Sequence, residues 1–274
     1  MNRQEKDGVV FYAFEHMERT GLVRHGFSTK MGGVSEGVFA SMNLSATRGD
    51  DMACVRENIR RMTHAMGMES AQTVFCEQVH ETRVAVARPA CYNEGIDHPD
   101  ELKATDGLIA NTEDVVLVTM HADCVPLFFL DPACKAVGMT HAGWRGTVAD
   151  IAGETVRRMR EEFGSRPADL LVGIGPSIGS CCFEVGLEVA AEFAEAFAET
   201  KPYARGLLLP SVAAEDKAYI DLQRTNEMLL MRAGVRPANI EIAELCTKCH
   251  PELFYSHRRD GQARGAMAAF MQLK

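Results

Sequence analysis

The sequence predicts a single α/β domain over residues 1–274, in which mixed β-sheets are flanked by helices. Short apolar, β-branched segments of the kind that form buried strands are interspersed with longer segments whose apolar residues recur at helical steps. Their order is neither a regular βαβ series nor a meander of hairpins. The chain has no internal repeat, low-complexity tract or linker rich in Pro, Gly or Ser, so one domain is the simplest prediction.

The N-terminal part predicts a strand pair, Val9–Phe14 and Leu22–Thr29, followed by a glycine-containing loop and a helix. Asp50 or Asp51 can cap this helix. Its apolar positions recur at steps of three and four: Met52, Val55, Ile59, Met62 and Met66. Those methionines are predicted to fill the core.

Around His80, the pattern predicts strands at Thr73–Val79 and Arg83–Ala87, followed by an irregular loop at Tyr92–Thr105. Four apolar segments then predict a buried sheet: Gly107–Ala110, Val115–Met120, Val125–Leu130 and Ala136–Thr140.

The sequence pattern of the C-terminal half predicts three further helices: Thr147–Phe163, Val185–Glu199 and Asp221–Ala233. Gly164 is expected to end the first of them and Gly234 the last. It also predicts three strands: Leu170–Ile174, Ile240–Leu245 and Ala266–Met271.

Composition restricts the possible partners. The net charge of -9 argues against a general nucleic-acid or membrane surface. No run of about 18 apolar residues predicts a transmembrane helix, and the N-terminus lacks the apolar core of a signal peptide, so a cytoplasmic protein is expected. In such a protein the nine cysteines are expected to be reduced thiols rather than a disulfide framework.

Three residues at the ends of apolar segments are candidates for chemistry: His80, Cys124 and His141. Two imidazoles and a thiolate can form a zinc site with an open fourth position, or a nucleophilic Cys/His site. Their separations of 44 and 17 positions match no zinc-finger pattern, which disfavours a purely structural zinc.

Other polar residues are candidate substrate contacts. Guanidinium groups suit phosphate or ribose, and the candidates are Arg48, Arg145, Arg258 and Arg259. Asn43 and Gln78 are candidate amide contacts to ribose or base. Asp123 is expected either to orient a ligand, to accept a substrate proton, or to be a buried structural carboxylate.

The remaining cysteines allow several interpretations. Cys246-x-x-Cys249-His250 matches the haem-attachment pattern, but haem attachment requires export, for which no signal is present. A redox pair or a second zinc site there is disfavoured because no second ligand pair has suitable spacing, and a loop lining the pocket is preferred. Cys181 and Cys182 are expected to pack in the core.

Taken together, the motifs resemble those of the YfiH-type family, which has been labelled polyphenol oxidase or laccase domain and is described as purine nucleoside phosphorylases. The resemblance extends from about residue 22 to residue 271. The motifs that carry it are His25-Gly26-Phe27-Ser28-Thr29-Lys30, Gly32-Gly33-Val34-Ser35, Ser41-Met42-Asn43-Leu44-Ser45, Glu77-Gln78-Val79-His80, Thr105-Asp106-Gly107, His121-Ala122-Asp123-Cys124-Val125-Pro126, His141-Ala142-Gly143-Trp144-Arg145-Gly146, Gly175-Pro176-Ser177-Ile178, Cys181-Cys182-Phe183-Glu184-Val185-Gly186, Cys246-Thr247-Lys248-Cys249 and Ser256-His257-Arg258-Arg259-Asp260-Gly261.

This resemblance implies one α/β domain with a zinc ion held by His80, Cys124 and His141. It implies phosphorolysis of adenosine, inosine, guanosine and methylthioadenosine, with phosphate as the second substrate. It also implies adenosine deamination by the same site, although the His-x-Glu and Pro-Cys-x-x-Cys signature of cytidine-type deaminases is absent.

Three other functions remain open. A copper oxidase is disfavoured, because multicopper sites need several histidine pairs and no two of the nine histidines are two residues apart. A cysteine hydrolase or amidase, with Cys124 as nucleophile and a peptidoglycan precursor as substrate, uses the same residues and is the main alternative. The third is a non-enzymatic binding module in which zinc only stiffens the fold.

Overall fold

The computed structural model describes residues 1–95, 97–198, 208–210 and 216–274, and for 208–210 only the strand itself. One predicted element, the helix Val185–Glu199, ends outside the described residues. Among the described residues, no helix combines the length and apolarity needed to span a membrane.

The first sheet contains six strands, which pair in the order β1-β2-β3-β15-β7-β4. They are β1 (Asn2–Lys6), β2 (Val9–Ala13), β3 (Val23–Ser28), β4 (Thr73–Phe75), β7 (Val116–His121) and β15 (Met267–Leu273). β15 is antiparallel to both β3 and β7, with Phe270 opposite Gly26 on one side and Val118 on the other. β4 is parallel to β7, which makes the sheet mixed, as predicted.

The second sheet also contains six strands, in the order β14-β10-β8-β9-β6-β5. They are β5 (Val84–Val86), β6 (Gly107–Ala110), β8 (Val125–Asp131), β9 (Ala136–Ala142), β10 (Leu171–Ile174) and β14 (Ile240–Ile242). A hairpin joins β8 to β9, and its register places His141 opposite Pro126. A small third sheet consists of β11 (Glu184–Gly186), β12 (Leu208–Pro210) and β13 (Lys217–Ile220).

Seven helices are described: α1 (Glu15–Glu18), α2 (Met52–Met66), α3 (Trp144–Val148), α4 (Ile151–Phe163), α5 (Leu187–Ala196), α6 (Leu222–Arg232) and α7 (His257–Asp260). Of the two predicted capping residues, Asp51 caps α2, because its side chain accepts from the Ala53 N–H. The helix ends at Gly67, which adopts the left-handed conformation that closes a helix.

Three apolar clusters show how the layers pack. Side chains of both six-stranded sheets share one cluster, including Phe27, Leu117, Phe128 and Met139. Helix α2 packs on the outer face of the first sheet, and α4 and α6 pack against the second. Adjacent residues of one strand therefore pack into different clusters on the two faces of the sheet. This explains why the strands are almost continuously apolar and do not alternate between apolar and polar residues.

The structure corrects three predicted elements and adds the strand β1. The predicted strand Thr73–Val79 ends at Phe75, and residues 76–80 form a loop. The predicted helix Thr147–Phe163 is two helices, because Asp150 has a φ of +60° and caps α4 by accepting from the Gly153 N–H. The predicted helix from Val185 begins at Leu187, since residues 184–186 pair as β11. The polar strand β1 was not predicted.

Candidate active site

The site lies where the two six-stranded sheets meet. The chain leaves β7 of the first sheet at His121, turns, and enters β8 of the second sheet at Val125, so Cys124 lies in the crossing turn. His141 is the penultimate residue of β9, and His80 lies in the loop between β4 and β5. Asp123 and His80 have φ values of +88° and +66°, a left-handed backbone that non-glycine residues adopt rarely and often at functional sites.

The side chains of His80, Cys124 and His141 converge. Their candidate ligand atoms all lie within 4.8 Å of one another, and the two imidazole rings are 4.8 Å apart between centroids at an angle of 80°. Zinc binds nitrogen and sulfur ligands at about 2.0–2.3 Å, so ligands of one ion lie within about twice that distance of each other. The three predicted residues therefore form a group that could hold one metal ion.

One carboxylate organises two of these residues. His141 donates from Nδ1 to Oδ1 of Asp106 over 2.8 Å, which leaves Nε2 for the cluster. The same carboxylate accepts the backbone N–H groups of Val79, His80 and Glu81 at 2.8–3.1 Å. Such outer carboxylates fix the tautomer and orientation of metal-binding histidines. This role of Asp106 was not predicted, because nothing in the sequence connects it to His141.

Electrostatics favour the thiolate of Cys124. Burial raises the pKa of this thiol, but His141 and His80 outweigh burial and lower the pKa to about 6. Burial lowers the pKa of His141, whereas the Cys124 thiolate and Asp106 raise it to about 10. We attribute both shifts to one buried thiolate–imidazolium pair. Thiolate is the form in which cysteine binds metals or acts as a nucleophile.

Two neighbouring residues define the edges of the cluster. His121 is buried, and its nitrogens are hydrogen-bond partners of Thr119 Oγ1 and the Cys124 carbonyl. Burial lowers its pKa well below the usual value, so it stays neutral. Gly143 touches the cluster from the other side, where a Cβ would lie 2.7 Å from His80 Cδ2 and 3.3 Å from Cys124 Sγ. Only glycine leaves both side chains in place.

Two cavities border the cluster, and both are lined by His80, Ala122 and Cys124. The larger has a volume of about 650 Å³ and is mostly apolar. The smaller has a volume of about 230 Å³ and is more polar. The candidate metal ligands thus lie between a space large enough for a small organic molecule and a smaller polar space.

The larger cavity contains three of the predicted substrate contacts: Asp123, Arg145 and Arg258. The guanidinium of Arg145 lies 4.2 Å from the ring centroid of Trp144, and that of Arg258 lies 5.4 Å from the ring of Phe183. Aromatic rings with guanidinium groups beside them suit a flat, polar ring.

Two further predicted substrate contacts, Arg48 and Gln78, line the smaller cavity. The amide of Gln78 forms a two-way hydrogen bond with the backbone of Met120, at 2.7 and 2.8 Å, which attaches the His80 loop to β7. Arg264, which the sequence analysis did not select, also lines this cavity and is only 4 % exposed. Among the described residues its Nε has no hydrogen-bond partner. Burial and the charge of Arg48 lower its pKa to about 10.

Three predicted contacts have their polar groups bound within the protein. Asn43 lines neither cavity, and its amide bonds to Ser45, Asp50 and Ala266. The Asp123 carboxylate accepts from Thr247 Oγ1, Ser256 Oγ and the Arg258 N–H at 2.6–3.0 Å. Arg259 donates to three backbone carbonyls, those of Thr247, Lys248 and Phe254.

The comparison with known proteins agrees with this architecture. Residues 24–274 match the family model described as "Multi-copper polyphenol oxidoreductase laccase". The crystal structure of the hypothetical protein YfiH from Bacillus licheniformis superposes with a TM-score of 0.88 at 34% identity, covering 99% of both chains. This similarity confirms the predicted single α/β fold with mixed sheets.

Three curated relatives carry enzyme names. "Purine nucleoside phosphorylase YlmD" of Bacillus subtilis (strain 168) is 37% identical over 250 residues, covering 91% of this chain and 88% of that protein. "Adenosine deaminase RL5", from an unknown prokaryotic organism, is 33% identical and covers 86% and 88%. "Purine nucleoside phosphorylase LACC1" of Mus musculus is 35% identical over 91% of this chain, which spans only 55% of that longer protein.

The family description names copper, whereas the ligand groups of this chain do not resemble a multicopper centre. Within the described ranges, the candidate groups of three or more metal ligands are His80, Cys124 and His141, and a set of four cysteines. Neither contains the several histidine pairs that multicopper sites need. From the family model and the relatives together, the chain belongs to the YfiH/YlmD family of laccase-domain proteins.

Proposed function

We propose that this protein is a zinc-dependent purine nucleoside phosphorylase that also deaminates adenosine. The observation that carries this proposal is the position of the His80, Cys124 and His141 cluster between an apolar cavity and an arginine-lined cavity. The relatives named for phosphorolysis and for adenosine deamination support both activities. Adenosine, inosine, guanosine and methylthioadenosine are the proposed nucleosides.

The donor set fits a catalytic zinc ion. His80, Cys124 and His141 would hold it, since two imidazoles and one thiolate match its ligand preference and leave one position for substrate or water. Gly143 leaves both side chains in place, and Asp106 holds the backbone around His80 as well as the ring of His141. When bound, the ion would supply a Lewis acid beside the reacting nucleoside.

The smaller cavity is the proposed phosphate site. Arg48 and Arg264 bring two guanidinium groups to a cavity of about 230 Å³, and the Arg264 Nε lacks a partner in the described part of the chain. A buried, incompletely paired cation is costly unless an anion completes it. Guanidinium forks bind phosphate oxygens in pairs. Ser45 and Thr47 line the same space.

The larger cavity is the proposed nucleoside site. Trp144 and Phe183 offer apolar surface for the purine, and Arg145 and Arg258 lie beside those rings. The nucleoside would extend from here to the ligand cluster, with its anomeric carbon facing the smaller cavity. A phosphate held by arginines would then be positioned rather than free in solution, which lowers the entropic barrier to attack.

Phosphorolysis in this arrangement exchanges one bond for another. An oxygen of hydrogen phosphate forms a bond to the anomeric carbon, the bond from that carbon to the purine nitrogen breaks, and the purine leaves with the proton that the phosphate gives up. The products are the free purine and the sugar 1-phosphate. Deamination uses no phosphate, since water adds at the amine-bearing purine carbon and ammonia leaves.

The test is to incubate protein of known metal content with adenosine, with and without phosphate, and to separate the products by chromatography. Adenine that forms only with phosphate supports phosphorolysis, and inosine without phosphate supports deamination. His141→Ala should lose both activities, whereas His64→Ala, on an exposed histidine of α2, should keep both. If the zinc-loaded protein forms neither adenine nor inosine, the proposal is refuted.

The alternative function for the same residues is that of a hydrolase in which Cys124 is the nucleophile. The low pKa of Cys124 is compatible with that chemistry. The two functions differ in their response to metal, since a cysteine hydrolase retains activity in chelator and is inactivated by alkylation of Cys124.

A further inference from the structure

A second group of metal ligands lies outside the site described above. It consists of Cys181, Cys182, Cys246 and Cys249, whose sulfur atoms all lie within 4.8 Å of one another. We call it the cysteine quartet. It shares no residue with the His80, Cys124 and His141 cluster. Cys181 is exposed rather than packed in the core as predicted, and with Cys182 it forms the second ligand pair that the sequence spacing did not indicate for Cys246 and Cys249.

The sulfur separations fit a single tetrahedral ion. The Sγ atom of Cys249 lies 3.6 Å from that of Cys181 and 3.4 Å from that of Cys182. Four thiolates at about 2.3 Å from one zinc ion would be about 3.8 Å apart. A disulfide needs about 2.05 Å, and all four cysteines are free thiols.

The backbone brings the two segments together by its own hydrogen bonds. Ser177 and Cys246 form a parallel bridge, in which the Ser177 N–H donates to the Leu245 carbonyl and the Thr247 N–H donates to the Ser177 carbonyl. The turn after Gly179 then carries Cys181 and Cys182 back toward Cys246, because the N–H groups of Cys182 and Phe183 both donate to the Gly179 carbonyl.

Local groups around Cys246 favour a bound thiolate. The Gly179 N–H donates to Cys246 Sγ over 3.3 Å, and the Cys249 N–H is a second donor to the same sulfur. Gly179 also provides space, since a Cβ there would lie 3.3 Å from Cys181 Sγ and 3.3 Å from Cys246 Cβ.

The four sulfur atoms lie close enough together for one cation to bind all of them. Four adjacent thiolates repel one another, so their joint ionisation requires a compensating positive charge. A divalent metal supplies this charge and binds thiolate in preference to thiol.

We propose that the cysteine quartet binds a structural zinc ion, in addition to any ion at His80, Cys124 and His141. Four protein sulfurs close the coordination sphere, as in structural rather than catalytic zinc sites. The ion would join the 177–186 segment to the 246–259 segment. Both line the larger cavity, through Ile178, Phe183 and Arg258. The quartet would thereby fix a wall of the proposed nucleoside site without touching substrate.

The first test measures zinc per chain in the whole protein, prepared under reducing conditions with added zinc and then freed of excess metal. We expect two zinc ions per chain in the unchanged protein and one in Cys249→Ser. His80→Ala/His141→Ala should retain the quartet's ion, and the variant combining all three changes should hold none. Cys134→Ser, which removes an exposed cysteine outside both groups, should retain two.

The second test identifies the ligands by replacing zinc with cobalt in His80→Ala/His141→Ala. An ion bound by four thiolates gives intense sulfur-to-cobalt charge-transfer absorption with tetrahedral d–d bands, and both should be lost on adding Cys249→Ser. Equal zinc content in Cys249→Ser and the unchanged protein would overturn the proposal. Iron in place of zinc, or a Cys181–Cys249 or Cys182–Cys249 disulfide found by mass spectrometry in the reduced preparation, would also overturn it. These readouts need no catalytic activity. If the His80, Cys124 and His141 cluster holds no zinc, the counts expected for the unchanged protein, Cys249→Ser and Cys134→Ser each fall by one, but Cys249→Ser should still remove one ion and the cobalt test is unchanged.

Discussion

His141 and Asp106 form a buried pair in which the imidazole Nδ1 donates to the carboxylate across 2.8 Å. The same carboxylate binds three consecutive backbone N–H groups around His80. A single side chain therefore holds two of the three proposed zinc ligands, although His80 and His141 come from distant parts of the chain. Asp106 therefore helps to set the geometry of the site.

Asp106→Asn should weaken zinc binding at the site by roughly 10-fold to 100-fold, the usual effect of losing an outer carboxylate. The amide keeps one oxygen for the backbone N–H groups but removes the charge that stabilises the histidine. The measurement is a zinc titration against a competing chelator, with circular dichroism to confirm folding. Asp100→Asn, at an exposed position, is the matched control. Unchanged affinity in folded Asp106→Asn would contradict the proposed role of the carboxylate.

Arg264→Met should raise the KM for phosphate by about 10-fold to 150-fold, because a charged hydrogen bond contributes about 1.5–3 kcal/mol. Deamination of adenosine, which uses no phosphate, should change little. Steady-state rates at varied phosphate concentration measure the effect. Arg166→Met removes an exposed arginine and is the control. An equal loss of both activities would indicate damage to the fold rather than to a phosphate site.

Gly143→Ala should reduce zinc affinity by at least about 10-fold, as disturbed ligand orientation does at other sites. The added Cβ would lie 2.7 Å from His80 Cδ2, so the His80 ring must move. Zinc content and thermal melting, measured together, separate a displaced ligand from an unfolded protein. A variant with full zinc affinity would show that the His80 ring can move without cost.

Trp144→Ala should raise the KM for the nucleoside by about 5-fold to 150-fold, because stacking of a base on an aromatic ring contributes about 1–3 kcal/mol. The KM for phosphate should stay within about twofold, since Trp144 lines only the larger cavity. Tyr92→Ala, on an exposed aromatic residue away from both cavities, is the control. An increase confined to the phosphate KM would reverse the assignment of the two cavities.

Local sequence signals predicted most of the fold. The strand Gly107–Ala110 has its predicted bounds, and α2 has its predicted capping residue, because burial and capping act on adjacent residues. The strand β1 has mostly exposed polar side chains and exists through its pairing with β2, which no local pattern encodes. The break at Asp150 depends on one backbone conformation that the helical periodicity hides.

The candidate site was predicted only in part for the same reason. His80, Cys124 and His141 stand out because each ends an apolar segment. The contribution of Asp106, Arg264 and Gly143 depends on contacts between segments that are remote in the chain. The cysteine quartet likewise combines remote segments, because Cys246 and Cys249 have a C-x-x-C spacing but the adjacent Cys181 and Cys182 match no zinc motif.

The most direct test of the central claim is phosphorolysis of inosine by one preparation assayed after zinc removal and again after stepwise zinc return. We predict no hypoxanthine or ribose 1-phosphate from the zinc-free protein, and recovery as zinc refills the site. Cys124→Ser, with a poorer ligand, should need more zinc for the same recovery. Full phosphorolysis by rigorously zinc-free protein would contradict the account and would reassign Cys124 from ligand to nucleophile.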